Sequence, residues 1–168
     1  AIANEMDLAR ATEIVTASMN AYGWELNRTQ ELTDIFSAVS RASSTDVAEI
    51  GEAFRTVAPT ANALGFEVSD VAMVLGLMAN NAIHGAEAGN GLKSILSSLV
   101  KPTENGAKAL KELGIEVADS QGNMKDLDEI VVDLQDAFKG LSEEEQAQIA
   151  TTLVGKMQMS KFLAIVNS

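Results

Sequence analysis

The sequence predicts a mainly α-helical protein, a compact bundle of about seven to nine short helices with one small β-hairpin near residues 115–125. Two observations carry this. Apolar residues recur at helical spacing along nearly all of the 168 residues, and only Ile115 to Lys125 alternates as a strand pair would. Helix stops fall often enough that no element should be long.

Met6, Ile14, Val15 and Met19 mark the first stripe, which ends near Tyr22-Gly23. Leu32, Ile35, Phe36 and Val39 mark the second, with Thr29 or Asn27 as its expected cap. Val47, Ile50, Phe54, Val57 and Ala61 mark the third, opened by Ser44-Thr45-Asp46 and closed near Leu64-Gly65. Pro59 lies inside that pattern, so a kink or a break into two pieces is expected there. Val71, Val74, Leu75 and Met78 mark the fourth, capped by Ser69 or Asp70 and ending around Ala82 to Gly85.

Gly85, Gly89 and Gly91 then precede Leu92, Ile95, Leu96 and Leu99. Glycines weaken a helix, by about 1 kcal/mol each relative to Ala, so they suit a turn into a new helix or a close helix crossing. Lys101-Pro102 ends that helix, and Thr103 to Leu113 forms a short one stopped by Gly114. In the hairpin, Ile115-Glu116-Val117 leads through Asp119-Ser120-Gln121-Gly122 to Asn123-Met124-Lys125. Asp126 with Glu129 and Ser142 with Glu145 read as capping boxes for two further helices. Gly155 interrupts the second of these, and Phe162, Leu163, Ile165 and Val166 close the chain.

Composition narrows the chemistry. Twelve Lys and Arg stand against 24 Asp and Glu, a formal net charge of −12. That balance argues against nucleic acid and against anionic membrane surfaces as partners of this segment. With no Cys and one His, disulfides, thiolate metal sites and two-His metal sites are excluded. The longest apolar run, Val71 to Ala79, is nine residues, against about 20 needed to span a bilayer. The amino end lacks the basic flank of a signal peptide. The chain opens Ala-Ile-Ala-Asn-Glu-Met with no initiating Met, which reads as a fragment or processed piece. Residues 103–148 carry twelve acids and four bases, two thirds of the net charge, as expected of solvated outer helix faces.

Four motifs invite a chemical reading and fall short of it. Gly89-Asn90-Gly91-Leu92-Lys93-Ser94 has Ser where a dinucleotide loop needs its third Gly, and no strand precedes it. In the oxygen-rich run Asp119 to Glu129, Gly is fourth rather than sixth and Lys125 stands seventh, which does not make a calcium loop. His84 reads as a helix-end residue, with no second His or Cys to share a metal. Glu143-Glu144-Glu145 fits the first turn of a helix better than a paired-carboxylate site. No catalytic, cofactor-binding or metal-binding residue is therefore expected, and the protein does not read as an enzyme. Of seven methionines most fall on core stripes; Met157 and Met159, beside Lys156 and Lys161, are the candidates for an adaptable binding surface.

Four stretches together resemble the conserved region of bacteriophage tail tape measure proteins of the lactococcal-phage type. Residues 42–65, ASSTDVAEIGEAFRTVAPTANALG, are similar to its small-residue segment with Thr-Asp-Val, a mid-helix Pro and Leu-Gly. Residues 63–96, ALGFEVSDVAMVLGLMANNAIHGAEAGNGLKSIL, resemble its apolar helix running into Asn-x-x-Ile-x-Gly-x-x-Ala-Gly and a Leu-rich helix. Residues 103–127 resemble its Leu-Gly-Ile and Gly-x-x-Lys-Asp-Leu passage, and residues 140–167 its usual ending. His84 and Gly91 depart from the family's commoner choices.

The resemblance implies a structural virion component. A tape measure chain lies in the lumen of the growing tail, sets tail length, nucleates tube assembly and leaves ahead of the DNA. Its implied partners are tail tube, tail tip and tail assembly chaperone proteins, with assembly in the cytoplasm of the bacterial host. Self-association is a further expectation. The organisation expected is a helical lead-in over 1–40 and the helical module over 41–168, folding separately or as one domain. The competing reading is a helical adaptor or regulatory domain of cellular origin that binds a partner helix in an apolar groove.

Overall fold

A computed structural model describes the backbone of residues 2–168 and the side chains of residues 10 and 12–168. Met6, placed by its spacing on the first stripe, lies outside the described side chains. Among the described residues the chain is mainly helical, with nine α-helices: α1 (Ile2–Tyr22), α2 (Thr29–Ala42), α3 (Val47–Ala63), α4 (Val68–Ala79), α5 (Gly85–Val100), α6 (Glu104–Leu113), α7 (Leu127–Lys139), α8 (Glu143–Val154) and α9 (Met159–Val166). A single 3₁₀ turn, Leu26–Arg28, leads into α2.

Helix α3 is the hub, because its apolar residues form a broad buried face. Ile50, Ala53, Phe54, Val57, Ala58 and Ala61 are all buried, and the helix packs most extensively on α5 and α1. The Phe54 ring meets Phe36 of α2 edge-on at 5.3 Å and stacks on Tyr22 of α1 at 5.5 Å. Each fully buried phenylalanine contributes about 1.5–3 kcal/mol relative to exposure. A second aromatic pair, Phe138 of α7 and Phe162 of α9 at 5.5 Å, anchors the carboxy-terminal helices. α8 packs on α5, α6 and α9, and α4 packs on α2, α3 and α9. The two aromatic clusters belong to one continuous set of buried side chains running from Val15 to Val166.

Local chemistry explains where several helices start and stop. The Asp46 carboxylate accepts the Glu49 amide at 2.8 Å and opens α3. Thr103 does the same for Gly106 at 3.0 Å in α6, and Ser142 with Glu145 forms a full capping box on α8. Gly65, Gly114 and Gly155 follow α3, α6 and α8 with φ of 76°, 74° and 86°.

The structure corrects five expectations. The small β-hairpin is not formed: the segment makes one isolated antiparallel bridge, Ala118 to Met124. The Asp119 carboxylate accepts the amides of Gln121 at 2.9 Å and Asn123 at 3.0 Å. It thereby closes a side-chain-bonded turn and diverts the Asn123 amide from strand pairing, leaving two backbone bonds across the segment, Asp119 to the Asn123 carbonyl and Lys125 to the Val117 carbonyl. Pro59 does not break α3, which runs unbroken through it. Both Pro59 and Arg55, whose carbonyl loses its partner, lie on the exposed side where water can satisfy it.

Neither Thr29 nor Asn27 caps α2, since the Thr29 hydroxyl is donated to the Leu26 carbonyl at 2.6 Å. Ser69 and Asp70 lie inside α4 rather than before it, and its N-cap position is Glu67. Asp126 occupies the N-cap position of α7 without a side-chain bond, because Asp128 takes the Glu129 amide at 2.9 Å.

Candidate interaction surface

The motifs singled out in the sequence stay apart in the fold. Gly89 and Gly91 lie inside α5 and are buried, so their amides serve the helix and not an anion. Gly89 makes the close crossing: a β-carbon there would stand 2.3 Å from the Ala53 carbonyl oxygen of α3. His84 holds the N-cap position of α5 but makes no capping bond; its Nδ1 lies 3.4 Å from Glu49 Oε2 across the α3–α5 junction. The glutamates 143–145 fill the first turn of α8, where the helix dipole favours them. Among the described residues no group of His, Asp and Glu is arranged to hold a metal ion.

Met157 and Met159 do not form one surface. Met157 is 87% exposed in the turn after α8, while Met159 packs partly into the core at the start of α9. The carboxylate environment is uneven too. Burial, then Asp128 and Asp126 of α7, raises the Asp70 carboxyl above its ordinary pKa. The amides of Asn123 and Gln121 hold that of Asp119 below it.

A concave surface among the described residues lies elsewhere. Beyond the Gly89–Ala53 contact, α3 and α5 leave a groove of about 610 Å³ between their carboxy-terminal halves. Pro59, Thr60 and Ala63 form one wall, and Ser94, Ser97 and Lys101 the other. Sequence reasoning missed this groove because its walls lie about thirty-five positions apart in the chain, roughly ten helical turns. One signal was available: residues 53–66 and 88–103 contain no Asp or Glu, in a chain that has 24.

Comparison with known proteins extends the geometry. The profile of the phage-related minor tail protein family matches residues 1–155. This chain belongs to that family. It is 33% identical over 162 residues to the tape measure protein of Pneumococcus phage Dp-1, covering 96% of this chain and 14% of the relative. It is 27% identical over 158 residues to a probable tape measure protein of Escherichia phage P2, covering 93% of this chain and 19% of the relative. No solved structure matches it.

These matches bear out the tape-measure resemblance and extend it into residues 1–40, which had read only as a lead-in. They support a structural role in a phage tail. The chain spans a minor fraction of the relatives it matches. Among the described residues no helix is long and apolar enough to cross a membrane.

Proposed function

We propose that this chain is a folded assembly module carried on a tail tape measure protein. In this reading the parent protein sets tail length, occupies the tail lumen, nucleates tube assembly and is ejected ahead of the DNA. This segment engages tail tip, tube or assembly chaperone proteins rather than acting as an extended ruler. The observation that carries the proposal is the single buried core running from Val15 in α1 to Val166 in α9. A continuous helix of this length would reach about 250 Å, whereas a domain of this size has a radius of gyration of about 15 Å. The same core supports treating residues 1–40 and 41–168 as one folding unit.

In-frame deletion of the segment in a phage that carries it, with tails measured by electron microscopy, tests the role. Loss of assembled tails supports an assembly module. Tails that form normally but are shorter in proportion to the residues removed would make the segment ruler. Small-angle scattering of the isolated chain provides a second check, with a rod hundreds of ångströms long contradicting the compact module.

A further inference from the structure

We propose that the α3–α5 groove is a docking site for an acidic amphipathic helix of a partner protein. The inference rests on the groove's own chemistry and goes beyond the tail assignment.

The groove has a lining that suits helix docking. Its walls are two helices in close contact at Gly89 and Ala53, and it opens along Pro59, Ala63, Ser97 and Lys101. Small side chains line both walls, so an incoming helix can approach the backbone closely. Leu64 and Val100 supply apolar surface at the far end, and recognition of a helix by such a groove needs an apolar stripe on the ligand.

Charge selects which helix. Lys101 is the one charged residue among those lining the groove. Lys93 stands one turn before Ser97, and Arg55 one turn before Pro59, so helical spacing brings both to the same face. Lys93 and Lys101 are exposed and have no carboxylate within bonding distance among the described ion pairs. The nearest acid along α3, Glu52, is shared between Arg10 at 3.7 Å and Arg55 at 3.2 Å. No carboxylate occurs in residues 53–66 or 88–103, although acids outnumber bases two to one in the chain. The rim thus carries two lysines, Lys93 and Lys101, without a carboxylate partner among the described ion pairs, on an otherwise acidic molecule. A helix whose apolar stripe is flanked by Glu or Asp is attracted to it, while a basic helix is drawn to the acidic faces elsewhere.

The test is an amide chemical-shift titration of the whole 168-residue chain with two synthetic peptides of about four helical turns. Both carry the same Leu/Ala stripe; one has flanking Glu and the other flanking Lys. The Glu peptide is expected to shift the amides of residues 60–64 and 94–101, and to bind at least about tenfold more tightly than the Lys peptide, a preference that fades as salt screens the rim. The double variant Lys93→Glu, Lys101→Glu changes only exposed positions and should keep the fold; it is expected to abolish or invert the preference. Shifts confined to other surfaces, equal binding of the two peptides, or a preference untouched by the double variant would each overturn the proposal. Concentration-dependent shifts at the groove without peptide would overturn it as well, by making a second copy the occupant.

Discussion

Gly89 of α5 lies directly against the backbone of α3, so that a β-carbon on it would stand 2.3 Å from the Ala53 carbonyl oxygen and 2.7 Å from Thr56 Cβ. This contact sets the spacing of the two most extensively packed helices, and with it the floor of the groove that opens beyond. Glycine inside a helix costs about 1 kcal/mol relative to Ala. Its presence here is offset by the closeness it permits.

Gly89→Ala should therefore destabilise the protein by about 1–3 kcal/mol despite the gain in helix propensity, because the Ala53 carbonyl belongs to backbone and the Thr56 Cβ is fixed to it, so neither can swing away. Gly91, two residues on, provides the control. A β-carbon there meets Lys161 Cδ at 2.7 Å, the middle of a flexible side chain. Gly91→Ala should cost clearly less than Gly89→Ala, because the Lys161 chain and Gln158, at 3.3 Å, can shift where the Ala53 carbonyl cannot, and Ala gains helix propensity. Denaturant unfolding of the two variants must give opposite or clearly unequal shifts, and equal losses would refute the backbone-contact account.

The two capping-box sequences make a second contrast. Ser142 accepts the Glu145 amide at 3.2 Å and Glu145 reaches back to the Ser142 amide at 3.4 Å. Ser142→Ala should cost about 1 kcal/mol. Asp126→Ala should cost only a few tenths, the remaining dipole interaction of an exposed charge, since its carboxylate makes no cap bond. Thermal melts of both variants, with hydrogen exchange at the Glu145 and Glu129 amides, distinguish the outcomes.

That contrast shows where the fold is legible in the chain and where it is not. Caps such as Asp46, Thr103 and Ser142, and stops such as Gly65 and Gly114, act over three or four residues, so the local pattern reveals them. Asp126 fails as a cap because a nearer carboxylate, Asp128, wins the same amide, a competition between neighbours that a motif does not rank. Pro59 passes through α3 because it faces solvent, and its exposure depends on which side α1 and α5 cover. The Asp119 turn replaces the hairpin for a similar reason, with its side chain taking the Asn123 amide that strand pairing needed. The groove is the least legible feature. It depends on the Gly89–Ala53 contact between helices distant in sequence, and only the missing carboxylates on both walls hint at it.

Gly155 makes a further prediction about backbone alone. Its φ of 86° and ψ of 164° fall in a region that is essentially reserved for glycine, and no atom lies within 4 Å of where a β-carbon would stand. Gly155→Ala should cost about 1–3 kcal/mol through conformation and not through crowding. Gly114, at φ 74° and ψ 24°, occupies the ordinary left-handed region, which Asn tolerates. Gly114→Asn should thus cost less than Gly114→Ala, while Gly155→Asn gains no such relief over Gly155→Ala. Stability measurements on these four variants test the distinction, and relief by Asn at both positions would contradict it.

Tyr22 couples stability to alkaline pH. Its hydroxyl donates to the Phe66 carbonyl, and burial, with Glu67 and Asp70 nearby, pushes its pKa up to about 12. Unfolded tyrosine ionises near about 10, so the fold favours the neutral phenol. The associated stability is fully present below about pH 10 and is lost as pH rises through about 12. Two units would correspond to about 2.7 kcal/mol. The ring is partly exposed, however, and solvent screening reduces this to about 1–2 kcal/mol. Tyr22 is the chain's single tyrosine, so tyrosinate absorbance reports it directly. The native midpoint should lie well above that in denaturant, and Tyr22→Phe should remove the extra loss of stability between about pH 10 and about pH 12. A native midpoint at the ordinary value would mean that neither burial nor the two carboxylates acts on the phenol as the geometry requires.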